Sequence, residues 1–302
     1  MSEKLAVIDL GSNSFRLEAG RFEGKRFVSE RYVKETVRLA AGLGPDGCLT
    51  QEIQEKALGS LRLFARVLAE MKPESVRAVG TQALRAAANA PEFLRMAEPV
   101  LGVPIRIISG EEEARLSFEG CAKSLSPRPD GPILVIDVGG ASTELSVGLP
   151  GRIASAASFP VGCVNTTLRF FREGTLSREA FDAAVKHASA LFLKSGAMFS
   201  SEKWTAAYGS AGTISAIHSV ASAEGWGSGP ITKGILCSAL DAFVRAGHTD
   251  RLRLAGLRPD RREIIAGGLA VLVALFQSLG IEELRLASGS LRTGLFFEMS
   301  GL

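Results

Sequence analysis

The sequence predicts an α/β protein of two lobes that face one another across a cleft, and two observations carry that expectation. At 302 residues the chain is long for one compact domain and sufficient for two. A segment near its start, AVIDLGSNSFRLEAG at 6–20, returns as LVIDVGGASTELSVG at 134–148. The copies agree at Val7/Val135, Ile8/Ile136, Asp9/Asp137, Gly11/Gly139, Ser14/Ser142, Leu17/Leu145 and Gly20/Gly148. Each is a short apolar strand, an acid, a Gly/Ser turn and an alternating segment that reads as the returning strand of a hairpin. A unit present twice argues for internal duplication.

The remaining elements follow in order. A polar turn at Glu23-Gly24-Lys25 leads to a third strand over 26–32. Thr50 caps a helix over 51–71, whose Ile53, Ala57, Leu61, Phe64 and Leu68 form one apolar stripe. Strands are expected at 76–79 and 103–108 with a helix between them. The stretch SLSPRPDGP at 124–132 concentrates three prolines beside Ser, Asp and Gly and reads as a linker. It divides the chain into lobes over 1–124 and 125–302, with the last helix free to pack back on the first. The second lobe repeats the plan, with a strand ending at Tyr208, a helix from about Thr213, a long helix over 263–279 and a strand at 284–287.

Composition narrows the function classes. The apolar fraction of 46% permits packed cores, and a charged fraction of 22% argues against disorder. No apolar run approaches the roughly 18 to 20 residues that cross a bilayer, and the charged, quickly interrupted N-terminus reads as a strand, not a secretory signal. The expectation is a soluble cytoplasmic protein without a membrane partner. Cys48, Cys121, Cys163 and Cys237 stand far apart, and His187, His218 and His248 show no metal-binding spacing. A net charge of +3 is too small to imply nucleic acid, yet is compatible with a polyanionic substrate.

Chemistry is expected first at the two Asp-x-Gly turns. An acid ending a strand, followed by glycine and hydroxyls, can hold a divalent cation and turn backbone N–H groups toward phosphate. A single such turn is more commonly an Asx-type turn between strands. Two in register favour a cleft with a phosphate-binding hairpin on each wall. The second candidate is ISGEEEAR at 108–115, where Ser109 with Glu112 reads as a capping box and Glu111 complements the helix dipole. Glu113 is left without a local role, so it is either a general base at a cleft or an ordinary helix-surface acid. Arg85, in VGTQALR, can bind phosphate oxygens or stand as a surface charge. The strand-to-helix turn YGSAGT, with Gly209, Gly212 and Thr213, can offer N–H groups to an anion. The run Arg251, Arg253, Arg258, Arg261 and Arg262 is a polyanion track or a solvated face. Gly42 to Gly47 matches a dinucleotide-binding pattern only formally and reads as a loop. Asn165-Thr-Thr is a glycosylation sequon without a secretory context, and His218 reads as structural.

Taken together, these motifs resemble the exopolyphosphatase/guanosine pentaphosphate phosphatase (Ppx/GppA) family of the acetate and sugar kinase/actin-like superfamily. They run in family order: DLGSNSFRL at 9–17, GTQALRAAAN at 80–89, ISGEEEARL at 108–116, VIDVGGASTEL at 135–145, FPVGCV at 159–164, GSAGT at 209–213, RPDRREIIAGG at 258–268 and SLRTGL at 290–295. The resemblance implies two ribonuclease H-like (actin-like ATPase) lobes with catalysis between them. It marks Glu113 as the base, and Asp137 and Glu144 as holders of Mg²⁺ or Mn²⁺ beside Asp9 of the first turn. Gly11, Ser12, Asn13, Gly139, Gly140, Ala141 and Ser142 would cradle phosphate, with Arg85 assisting. Two glycines of the family pattern are Ala141 and Ala211 here, and the chain resembles the short two-domain members. The implied activity is release of terminal orthophosphate from inorganic polyphosphate. Alternatives are hydrolysis of guanosine pentaphosphate (pppGpp), an ATP-dependent kinase, and a non-catalytic polyphosphate or nucleotide sensor. A homodimer is left open.

Overall fold

Alternating strands and helices build two sheets that share one helix between them. The computed structural model describes residues 3–302. In the first lobe β1 (Lys4–Leu10), β2 (Phe15–Glu23) and β3 (Arg26–Glu35) form an antiparallel meander. α1 (Gln51–Met71) then crosses to β4 (Ser75–Gly80), and α2 (Gln82–Ala86) with α3 (Ala90–Leu101) to β5 (Ile105–Ile107). β4 runs parallel to β1 and β5 to β4, so the sheet order is β3-β2-β1-β4-β5.

α4 (Gly110–Ser124) leads to the second meander, β6 (Ile133–Val138), β7 (Thr143–Leu149) and β8 (Arg152–Phe159). α5 (Cys163–Phe170) and α6 (Arg178–Phe192) precede β9 (Ala206–Ser210), which pairs parallel with β6. α7 (Ala211–Ala223), β10 (Ile231–Thr232), α8 (Lys233–Ala246), α9 (Ile265–Leu279), β11 (Glu283–Leu286) and α10 (Leu291–Ser300) complete the chain. The second sheet runs β10-β11-β9-β6-β7-β8. Its β8-β7-β6-β9-β11 portion repeats the first sheet strand for strand, so the sequence repeat is also a fold repeat of the expected ribonuclease H-like type.

Both central strands read as apolar runs because both faces are covered. On β1, Ala6, Ile8 and Leu10 pack with Leu61, Phe64 and Phe93 of α1 and α3, while Leu5 and Val7 pack with Leu116 of α4 and Leu295 and Phe296 of α10. On β6, Ile133 and Val135 meet Phe118, Cys121 and Ala122 of α4, and Leu134 and Ile136 face the α9 core. α4 therefore lies between the sheets, on the face that Asp9 and Asp137 share by strand alternation. Glycine lets α4 and α10 touch backbone to backbone. A Cβ on Gly120 would stand 2.1 Å from the Ser290 carbonyl oxygen, and one on Gly294 2.0 Å from that of Leu116.

Differences from expectation are local. β3 runs on to Glu35, β5 is only three residues long, and the long helix begins at Ile265. Ser109 accepts the Glu112 N–H at 3.1 Å, but the Glu112 side chain is drawn away by Arg106, so the capping box is half made. Among the described residues no helix is long and apolar enough to cross a membrane.

Candidate active site

The β1–β2 and β6–β7 turns meet. A Cβ on Gly140 would come within 3.1 Å of both the Asn13 nitrogen and the Ser12 Cβ, so any side chain there would push the walls apart by a few tenths of an ångström. Beside that contact opens a cleft of about 360 Å³. Of the residues expected from sequence, Asp9, Gly11, Ser12, Asn13, Glu113, Asp137, Gly139, Gly140, Ser142 and Gly212 line it.

Both turns are built alike. In the first, the carbonyls of Ser12 and Asn13 accept the N–H groups of Ala40 and Arg38, each at 2.9 Å. In the second, the Gly139 carbonyl accepts from Cys163 at 3.0 Å and the Gly140 carbonyl from Val164 at 2.7 Å. Asn165 finishes that wall, donating to the Ala141 carbonyl at 3.0 Å and accepting from Gly162 N–H at 2.7 Å. Carbonyls are held from behind. Among the described residues the N–H groups of Ser12, Asn13, Gly140 and Ala141 have no intramolecular acceptor. Consecutive free N–H groups of this kind form an anion-binding concavity.

The carboxylates converge from three elements. Glu113 projects from the first turn of α4 and is only 8% exposed. Burial pushes its carboxyl up to about 7; Arg85 opposes that shift, and the charges of Asp137 and Asp9 add to it. Asp137 is raised by burial, although Ser210 and Ser117 donate to its Oδ2 at 3.0 and 3.1 Å and resist the shift. Glu144, paired with Asp137 across β6 and β7, is raised well above the usual range by burial and then by Glu113 and Asp137. Asp9 receives Arg16 at 3.1 Å and Arg292 at 3.9 Å. The duplicated hairpins thus differ in sign. Opposite the acid stands Arg16 in one and Glu144 in the other.

Several expected residues stand elsewhere. Arg85 does not line the cleft: it donates to Glu113 at 2.7 Å, to the Ile108 carbonyl at 2.9 Å and twice to Gln82, so its guanidinium is engaged with the carboxylate. Glu144 lies beneath the cleft, where Ser158 donates to it at 2.7 Å. Ala141 lends the turn its N–H but not its side chain, which does not line the cleft, and its carbonyl holds Asn165. Gly209 is inside β9, paired with Ile136 and Leu286, and the Thr213 side chain is buried in α7, so that turn meets the cleft through Ser210, Ala211 and Gly212. Ala141 adopts ordinary backbone angles, whereas Ala211 sits at φ 72° in the left-handed region.

Sequence reasoning missed Arg16, Lys34, Ser117 and Arg292. Ser117 was legible, one helical turn beyond Glu113. The basic run divides: Arg258 and Arg261 line the cleft, while Arg251 and Arg253 do not. Arg261 is 8% exposed and lies against Gly212. Among the described residues it has no acid within ion-pair distance, and burial pulls its pKa down.

Among the described residues no ready-made cage of three His, Cys, Asp or Glu side chains is present. The donors nevertheless suit a hard cation. Asp9 and Asp137 engage side chains through Oδ2 and leave Oδ1 uncommitted. Mg²⁺ characteristically takes one or two carboxylates and completes its shell with water and phosphate oxygens.

The chain matches known proteins over most of its length. The family model of the Ppx/GppA phosphatase family matches residues 26–301. A guanosine-5'-triphosphate,3'-diphosphate pyrophosphatase from Aeromonas hydrophila is 39% identical over 296 residues, which is 98% of this chain and 59% of that protein. The chain therefore spans somewhat over half the length of that relative. An exopolyphosphatase from Cytophaga hutchinsonii superposes with a TM-score of 0.87 at 21% identity, covering 99% of this chain and 98% of that one. A Ppx/GppA enzyme from Aquifex aeolicus gives 0.80 at 24% identity, covering 99% and 100%. These two likenesses concern the fold, and the family match adds the kinship: the chain belongs to the Ppx/GppA phosphatase family.

Proposed function

We propose that this chain hydrolyses the terminal phosphoanhydride of a linear polyphosphate, releasing orthophosphate, with Glu113 as the general base. The observation that supports it most is the meeting of two anion-binding turns beside one buried carboxylate whose pKa is raised to about 7.

In this reading the terminal phosphoryl group enters between the turns and takes the free N–H groups of Ser12, Asn13, Gly140 and Ala141. Arg85 fixes the Glu113 carboxylate, and Glu113 accepts a proton from the attacking water. The water oxygen bonds to phosphorus as the bridging P–O bond breaks, and the shortened chain leaves with the bond's electron pair. A pKa near 7 suits a base at neutral pH, since it is half ionised there yet basic enough to draw the proton. Arg261 and Arg16 neutralise phosphates further along the chain. Asp9 and Asp137, backed by Glu144, would hold Mg²⁺ or Mn²⁺, which when bound neutralises charge on the phosphoryl oxygens. Because the transition state of phosphoryl transfer is loose, positioning and charge supply most of the rate.

A second reading shares the site and changes the substrate to guanosine pentaphosphate. It is favoured by the name of the 39% identical relative. One assay series tests both: orthophosphate release from short and long polyphosphate, guanosine pentaphosphate and ATP, with and without Mg²⁺. Release from the first two supports the main reading, release from guanosine pentaphosphate alone supports the second, and release from none rejects hydrolysis.

A further inference from the structure

The cleft is lined mostly by small, polar and charged side chains, with Val138 and Leu291 among them, and Tyr32 is the one aromatic residue lining it among the described residues. It stands on β3 and is 48% exposed. Val33 packs into the core on the other side of the strand, so alternation places Tyr32 and Lys34 together on the cleft face. The Arg292 guanidinium carbon lies 5.4 Å from the centre of the ring. Arg292 in turn is held by Glu18 at 3.0 Å and reaches Asp9 at 3.9 Å. The ring therefore rests on a cation tied to the acid of the first turn.

Strand register fixes where this ring stands. Asp9 pairs with Arg16 and Arg16 with Lys34, while Tyr32 pairs with Glu18. Tyr32 is thus two strands across and two residues along from Asp9, about 12 Å from strand spacings of about 4.8 Å and a rise of about 3.4 Å per residue. Arg16, Arg292 and Lys34 stand on this stretch of the cleft lining, each paired with an acid (Asp9, Glu18 and Asp260), and a chain of phosphates lying there would compete for the same cations. The ring beyond them offers an inorganic chain nothing, because the face of a π system is negative and repels anions. A flat heterocycle gains from the same face by stacking.

We propose that Tyr32 is a specificity-determining residue that stacks the base of a nucleoside polyphosphate whose terminal phosphate occupies the two turns. This rests on the hydrolase reading above for the position of the terminal phosphate, and adds what recognises the other end. An unbranched inorganic chain would use the turns and cations without the ring.

The test compares equilibrium binding of guanosine pentaphosphate and inorganic tripolyphosphate, by calorimetry without divalent metal, for the unmodified protein, Tyr32→Ala and Tyr32→Phe. Turnover is followed in parallel. The expected result is a fall in the ratio of nucleotide to tripolyphosphate affinity of roughly 5- to 150-fold in Tyr32→Ala, the span of base–aromatic stacking. Tyr32→Phe, which keeps the ring, should restore the ratio. A purely structural role would shift both ligands together and leave the ratio unmoved. That outcome overturns the assignment, whatever the turnover does. Binding with the expected ratio but no phosphate release would overturn the hydrolase reading and leave the Tyr32 assignment standing.

Discussion

Arg85 Nη1 donates to Glu113 Oε2 at 2.7 Å and to the Ile108 carbonyl at 2.9 Å, so one cation ties the carboxylate to the strand end that launches α4. A neighbouring cation favours the ionised form of an acid. Without it, the Glu113 carboxyl should rise further above its value of about 7. Glu113 must be ionised to accept a proton, so activity should rise with pH through that value. In Arg85→Leu the acid limb of the kcat/KM–pH profile should move to higher pH. A limb left in place would separate Arg85 from the ionisation of Glu113.

Arg261 is buried and, among the described residues, has no acid within ion-pair distance, an arrangement that costs stability unless an anion arrives. Arg261→Met should leave the ligand-free protein as stable as before or more so. The KM for tripolyphosphate should rise roughly 10- to 100-fold, the value of a charge-assisted hydrogen bond. Thermal melts and steady-state kinetics on one preparation read both effects. A lower melting temperature with unchanged KM would make Arg261 a structural residue.

Ala211 holds φ 72° at the entrance to α7, a conformation that costs a residue with a Cβ about 1–2 kcal/mol. Glycine removes that strain, and its greater freedom when unfolded offsets part of the gain. Ala211→Gly should therefore stabilise the protein by about 1 kcal/mol, read as a higher denaturant midpoint with unchanged slope. The same change at Ala141, whose backbone angles are ordinary, should destabilise slightly.

Much of this arrangement was legible in the sequence for physical reasons. The repeated acid–glycine hairpin announced a duplicated sheet because strand, turn and return strand are encoded locally. The α1 helix was legible from its cap and stripe, whereas the residues alone left Glu113 as a base or a surface acid and only the resemblance marked it as the base. What stayed hidden was long-range. Arg16 reaches Asp9 through hairpin register, Arg292 arrives there because α10 packs back on β1, and Arg85 meets Glu113 because α2 and α4 start from the ends of the neighbouring strands β4 and β5. Periodicity does not encode such meetings. Gly209 and Thr213 were misplaced because the end of a strand cannot be fixed from sequence to within one or two residues. In that turn this displaced the cleft-lining residues to Ser210–Gly212.

The central claim is that Glu113 takes the proton of the attacking water. Glu113→Gln keeps the shape of the side chain and a hydrogen bond to Arg85 while removing the base. Phosphate release from whichever substrate the unmodified protein turns over should then fall on the order of 10²- to 10⁴-fold in kcat, with substrate affinity largely retained. A variant that releases phosphate at the original rate would contradict the account at its root.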